Sequence, residues 1–149
     1  MRDIEENGLK YRHITKREAA LKQIRVAIKL LEEEEFEAAI TLAGAAEGMM
    51  LKGAQPIAMF EQLKELRPAD FRTEPEWVSF LNALLYWLKH SGDQESNVIG
   101  EFDAWVMIVR ALTKYHGTFD ERPPEVDALM AWGKARNEKL RLVRGQPGV

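Results

Sequence analysis

Residues 36–51 read FEAAITLAGAAEGMML, and this stretch decides how we interpret the rest of the chain. Alanine is the strongest helix former, and small side chains let a neighbouring backbone approach closely. We therefore predict a helix that is packed centrally against two or more others. Ile40, Ala43, Gly44 and Glu47 follow the spacing of one helical face. Glu47 is therefore expected to point into a tight apolar contact.

A first helix is predicted upstream of this segment. Thr15-Lys16-Arg17-Glu18 forms a capping box, in which the threonine and the glutamate each accept a backbone amide of the first turn. Apolar residues then recur every three or four positions until the acidic run Glu32–Glu35. We expect a tight connection near Glu33–Phe36. The alternative is one long helix that continues to residue 50.

Four more helices are predicted downstream, each from apolar periodicity and from its end signals. Their expected extents are Ile57–Leu66, Thr73–His90 after a second capping box, Phe102–Gly117 with the glycine as C-terminal cap, and a last helix that opens at Pro123-Pro124. The fifth helix is strongly apolar, and this character also suggests a dimer interface.

The sequence predicts an all-α, single-domain bundle or array of five or six helices. We find no alternating strand pattern of useful length and no two-residue hairpin signal. Residues 1–14 are read as a polar N-terminal arm, extended or forming a short helical turn. The helical domain is assigned to 15–143, and residues 144–149 to a disordered tail.

Composition excludes several classes of function. The chain has 149 residues, a net charge of −3 and no cysteine, so thiolate metal sites, disulfides and thiol nucleophiles are ruled out. No global positive field is available to attract nucleic acid. The sequence contains neither a signal-peptide pattern nor an apolar run long enough for a membrane span. We expect a cytoplasmic protein without membrane contact.

Catalytic and cofactor motifs are missing from the sequence. It has no P-loop, no GxGxxG, no HExxH, no EF-hand loop and no GxSxG. None of the three histidines follows a glutamate by three residues, as a di-iron bundle requires. We predict no cofactor and no metal site.

Glu47 needs a partner, because a buried carboxylate costs several kcal/mol unless it is paired or protonated. One interpretation gives it a hydrogen bond to a tyrosine, tryptophan or lysine of the core, or to amides at another helix end. The other brings Glu47 and His90 together in a ligand pocket. His90 has a simpler interpretation too, since an imidazolium at a helix C-terminus is stabilised by the helix dipole.

Two segments carry a resemblance to known proteins. Ala39-Ile40-Thr41-Leu42-Ala43-Gly44-Ala45-Ala46-Glu47 is similar to a segment found in a group of mainly proteobacterial all-helical proteins of unassigned activity. Tyr86-Trp87-Leu88-Lys89-His90, with Asp93 in the following loop, is similar to a second motif of that group. Both also resemble the wider HEPN superfamily of helical bundles, in which arginine and histidine form a ribonuclease site across a dimer.

The resemblance implies a homodimer and a site near Glu47, Lys89, His90 and Asp93. In HEPN nucleases an arginine precedes the histidine by five residues, whereas this chain has Leu85 there, so the cation that would stabilise a pentacovalent phosphate is missing. Arg110 and His116 have a loosely similar spacing. Six residues on a straight helix, however, place two side chains about 120° apart.

Three hypotheses follow about function. The first is a non-catalytic, HEPN-like binding protein with a pocket for a small ligand or a nucleotide near Glu47 and His90. The second is an RNase-like enzyme of a toxin system, with His90 as general acid–base and Lys89 or Arg110 in contact with the phosphate of RNA. The third is a scaffold or adaptor without a pocket. The missing arginine favours a protein that is not an enzyme.

Overall fold

The computed structural model describes residues 1–50, 74–90, 92 and 94–143. Within these ranges the chain forms a two-stranded sheet followed by five helices, as predicted for an all-α domain apart from the sheet. The elements are β1 Arg2–Glu6, β2 Leu9–His13, α1 Lys16–Glu32, α2 Phe36–Gly48, α3 Glu74–Lys89, α4 Glu101–Phe119 and α5 Glu125–Val143. The predicted helix Ile57–Leu66, Asp93 and the tail 144–149 lie outside the described residues.

Helix α1 begins where the capping box predicts. The Glu18 amide donates to the Thr15 hydroxyl at 3.2 Å, and the Thr15 amide donates to the Glu18 carboxylate at 2.9 Å. The Met1 amine and the Thr15 donors hold the pKa of Glu18 at about 2. Ile24, Ala27 and Leu31 are buried, as their spacing predicts.

A tight turn separates α1 from α2, so the alternative of one long helix is wrong. Glu34 has a φ of 63°, a left-handed conformation that an α-helix cannot contain. The Glu35 amide donates to the carbonyl of Leu30 at 2.8 Å and closes the turn. The four glutamates lie on the outside of this turn, where all of them are exposed to solvent.

The central helix is α4, not the alanine-rich α2. Every residue from Ala104 to Val109 is fully buried, which requires neighbours on all sides of the helix. It packs against α1, α2 and α5, while α2 also contacts α1 and α3. The small residues of α2 do create a close contact, as expected, but they do so as one wall around α4. Large apolar side chains decided which helix is central, because burying each one contributes about 1.5–3 kcal/mol.

Helix α4 continues past Gly117 and ends at Phe119, so the predicted glycine cap is wrong. The residue that leaves the helix is Asp120, with a left-handed φ of 51°, and its amide donates to the His116 carbonyl at 2.9 Å. Aspartate tolerates this conformation better than most side chains do. Phe119 gains a ring contact with Tyr115, with centroids 4.9 Å apart, that a helix ending at Gly117 would lose.

The N-terminal arm is a β-hairpin, which corrects the expectation of an irregular or helical arm without a hairpin signal. β1 and β2 pair antiparallel in a register that joins Glu6 to Leu9 and leaves only Asn7 and Gly8 in the turn. Both turn residues have positive φ, 54° and 75°, as a type I′ turn requires. Asn-Gly is the strongest short hairpin signal, but the strands around it are so polar that their alternation is weak.

None of the helices in the described ranges is both long and apolar enough to cross a membrane.

Helix α5 packs onto α4 through a glycine. A methyl group at Gly133 would overlap the indole ring of Trp105. That ring cannot move easily, because it is fully buried and its Nε1 donates to the carbonyl of Leu129 at 2.7 Å.

We therefore expect Gly133→Ala to destabilise the protein by about 1–3 kcal/mol, since overpacking outweighs the gain of about 1 kcal/mol in helix propensity. Gly48→Ala is the matched control, because nothing lies within 4 Å of the position that its new methyl group would take. It should be neutral or slightly stabilising. Urea unfolding measures both changes, and a Gly133→Ala protein as stable as the wild type would contradict the packing described here.

Candidate functional site

Glu47 is paired with Arg110, which lies on the central helix α4. Nη2 of Arg110 donates to Oε1 of Glu47 at 2.9 Å, and Nη1 donates to Oδ1 of Asn82 at 3.1 Å. The side chains of Arg110 and Glu47 are only 15% and 14% exposed. This Glu47–Arg110–Asn82 cluster therefore connects α2, α3 and α4 with one guanidinium group.

The close approach of α2 and α3 positions this cluster. A methyl group at Gly44 would overlap the side chain of Leu85, so Leu85 packs directly against the backbone of α2 there. One turn further along α2, Glu47 reaches Arg110, while Asn82 reaches the same arginine from a position one turn earlier in α3. The two helices thus run antiparallel past each other.

His90 lies at the other end of this contact and is not the partner of Glu47. It follows Asn82 by eight residues, which corresponds to about 12 Å along a helix axis. The imidazole is exposed, and its ring centroid lies 4.3 Å from that of Tyr86. Its backbone amide donates to the carbonyl of Tyr86 at 3.1 Å. The predicted Glu47–His90 pairing is therefore replaced by Glu47–Arg110, while His90 occupies the helix-end position of its simpler interpretation.

Of the other two predicted ligand residues, only Lys89 is described, and it does not join Glu47. Lys89 is the exposed last residue of α3, and Asp93 lies outside the described residues. Gln94 is held close to α3, because its carbonyl accepts a hydrogen bond from Nε1 of Trp87 at 2.9 Å.

The Glu47–Arg110–Asn82 cluster acts as a clamp, which here means a set of polar contacts that holds α2, α3 and α4 together. The carboxylate and the guanidinium neutralise each other, and a half-buried pair of this kind resists separation because either charge alone is poorly solvated. No group of three or more histidine, aspartate or glutamate residues in the described ranges is arranged to hold a metal ion.

A second polar cluster joins the start of α1 to the end of α4. The Arg17 guanidinium pairs with the Glu121 carboxylate and also donates to the Tyr115 hydroxyl at 3.4 Å. That hydroxyl donates to Glu121 at 3.2 Å. Arginine lowers the pKa of Glu121, whereas burial raises the pKa of Tyr115. Because these groups satisfy one another, this cluster also connects helices.

The hairpin is the part of the described chain with the least contact to the rest. All ten strand residues are exposed, and neither strand packs extensively on a described helix. Directly paired residues share a face of the sheet, so Ile4, Leu9 and Tyr11 lie together on one face. They are 41%, 60% and 50% exposed. This surface is called the hairpin apolar face below.

Comparison with known proteins does not extend the picture. The chain matches no protein-family model, no curated protein and no solved structure.

Three residues of the clusters were not predicted as partners from the sequence. Asn82, Tyr115 and Glu121 lie in segments with no motif, and their contacts join elements that are far apart in sequence. Arg110 carried a signal of its own, because it is the only charged residue between Ala104 and Leu112 in a strongly apolar segment. A charge in such a place requires a buried partner, and Glu47 had the same requirement.

The Glu47–Arg110 pair should show energetic coupling. We expect Glu47→Gln and Arg110→Gln each to cost about 1–3 kcal/mol, since each leaves a half-buried charge unpaired. The double variant should cost less than the sum of the two, with a coupling energy of about 1 kcal/mol. Urea unfolding of the four proteins measures this.

The exposed pair Arg122–Asp127, at 2.8 Å, is the matched control for this cycle. Its coupling energy should be much smaller than that of Glu47–Arg110, because solvent screens both charges. Equal coupling energies for the two pairs would contradict a clamp at Glu47.

The Arg17–Glu121 pair predicts a pH dependence. The pKa of Glu121 is lowered in the folded protein, so its contribution to stability is present above the ordinary value of 4.5 and is lost as the pH falls through the lowered value. Arg17→Gln should move the Glu121 pKa back towards 4.5 and flatten the acid limb of the stability profile. NMR titration of the side-chain carboxyl carbon measures the shift. Lys29→Gln is the control on the same helix, and an identical effect there would contradict the assignment.

Proposed function

We propose that this protein is a non-catalytic binding domain that docks onto another protein through the hairpin apolar face. The observation that carries the proposal is that the hairpin is exposed along its whole length. A lone two-stranded hairpin is only marginally stable in water and gains stability when its apolar face is covered. Apolar side chains grouped on an exposed surface mark interaction sites more often than isolated ones do.

A binding role is favoured over RNA cleavage by the surroundings of His90. Leu85, which stands where HEPN nucleases have arginine, is apolar and packs over Gly44. Arg110 is held by Glu47 and Asn82. Neither position therefore offers the imidazole a cation to stabilise a phosphorane. We therefore propose a HEPN-like protein that has no ribonuclease activity.

The same contacts argue against a ligand pocket at Glu47 and favour the adaptor hypothesis. The guanidinium group of Arg110 already occupies the Glu47 carboxylate, and His90 lies at the opposite end of α3. The cytoplasm is the proposed compartment, supported by the absence of cysteine.

A homodimer is one form that the interaction could take, but its basis has changed. The predicted fifth helix, whose apolar character suggested a dimer interface, is α4, and its apolar residues are used inside the monomer. A second copy would therefore have to dock elsewhere, and the hairpin apolar face is the surface that we propose for it.

Photocrosslinking tests the proposal. The full chain with p-benzoylphenylalanine in place of Tyr11 should give a defined crosslinked product in cells of the source organism. The same group in place of Val26 should not, although Val26 is an exposed apolar residue on α1. Equal crosslinking at both positions, or none at position 11, would overturn docking through the hairpin. RNA cleavage that is lost in His90→Ala would overturn the non-catalytic part.

A further inference from the structure

On the face opposite the hairpin apolar face, the charged residues of the hairpin are sorted by strand. Asp3 pairs with Arg12 and Glu5 pairs with Lys10 in the strand register. Nε of Arg12 donates to Oδ1 of Asp3 at 2.6 Å, and this contact lowers the pKa of Asp3. All acidic residues of this face lie on β1 and all basic ones on β2. The two free edges of the sheet therefore have opposite charge.

The backbone of β2 has hydrogen-bonding groups left at its outer edge. A two-residue turn makes Glu6–Leu9 a hydrogen-bonded pair, and such pairs alternate along an antiparallel ladder. Ile4–Tyr11 is then also hydrogen-bonded, while Lys10 and Arg12 direct their N–H and C=O groups away from β1. The described residues contain no third strand that pairs with this edge.

Charge opposes a two-fold pairing of this edge with its own copy. If β2 pairs antiparallel with β2 of a second copy and keeps its apolar residues on one side, either Lys10 faces Arg12 or, in a shifted register, one of the two faces its own equivalent. The β1 edge has the same difficulty with Asp3 and Glu5. Like charges directly opposite each other destabilise a ladder, and charged edges are a common means of preventing self-association.

Charge also favours an acidic partner at this end of the molecule. Residues 1–29 contain eight lysines and arginines but four aspartates and glutamates, although the whole chain has a net charge of −3. The exposed Lys16, Lys22 and Lys29 of α1 follow after β2, whereas Arg25 is paired with Glu125 at 2.6 Å. A local positive region on an acidic protein steers anionic segments towards it.

Resting on the proposed function, we propose that the free edge of β2 accepts an extended segment of another protein, with alternating acidic and apolar side chains, as a third strand. Acidic side chains would lie opposite Lys10 and Arg12, and apolar ones beside Leu9 and Tyr11. β1 itself has this pattern at Asp3-Ile4-Glu5, so the structure already contains one strand that β2 recognises in this way. Main-chain hydrogen bonds supply affinity in such strand addition, and alternate side chains supply specificity.

The test uses three synthetic peptides of about ten residues, the number that a strand of β2 length and its flanks can cover. One alternates glutamate with valine, one alternates lysine with valine, and one holds glutamate and valine in two separate blocks. The alternating glutamate peptide should bind the full chain and shift the amide resonances of Lys10 and Arg12. The other two should bind at least tenfold more weakly.

Two variants at Lys10 separate the contribution of its side-chain charge to binding from that of its backbone N–H. Lys10→Gln removes a single charge pair and should weaken binding by up to about fivefold. Lys10→Pro also removes an edge N–H and should weaken binding by about tenfold or more. Cross-strand contacts between Ile4 and Tyr11 in NMR spectra report whether the hairpin persists, and Lys10→Gln remains decisive if the proline variant opens it. Lys134→Gln, at an exposed position on α5 outside this positive region, is the control and should change affinity by less than twofold.

The remaining outcomes overturn the proposal in distinguishable ways. Tighter binding of the lysine peptide, or shifts at Asp3 and Glu5 instead, would place the site on β1. If no peptide binds while the crosslink at position 11 persists, the strand chemistry is wrong but docking through the hairpin stands. Concentration-dependent dimers in sedimentation, with shifts at the Lys10 and Arg12 amides, would make a second copy the occupant.

Discussion

The packing of the helices in this protein depends on excluding water from every side of α4. A helix with six consecutive fully buried residues needs helices that approach closely from several directions. The surrounding helices meet this need with small side chains, such as Ala20 and Ala27 on α1 and Ala43 on α2. Gly133 of α5 has no side chain at all, and the Trp105 ring occupies the space that one would take. Packing at near-crystalline density leaves little room for substitution there.

Charged groups then fix how the helices are arranged at the rim of that core. Arg110 extends from the middle of α4 and joins Glu47 and Asn82, while Arg17 joins Tyr115 and Glu121 near the C-terminal end of the helix. Half-buried pairs add little net stability compared with apolar contacts, but a mispaired charge is costly. Such pairs therefore select one arrangement of helices over others, and their chemistry is already satisfied within the chain.

The hairpin differs from the body in this respect. Its apolar face is uncovered, its edges are unpaired by any described strand, and its charges are sorted by strand. These three properties together point to a surface that is completed by another chain. The proposed function follows from this contrast between a helical body whose clustered charges have partners and an arm whose backbone edges do not.

The sequence by itself determined the helices, because apolar periodicity and the capping box at Thr15 are local properties. It also contained the hairpin, in Asn7-Gly8 and in the alternation around Ile4 and Tyr11, although strong polarity hid that signal. Only the tertiary structure decided that α4 is central, that Asp120 ends it, and that Glu47 pairs with Arg110 and not with His90. Those outcomes depend on contacts between residues far apart in the chain. A helical pattern states which face is apolar, but not which distant side chain will meet a charge on that face.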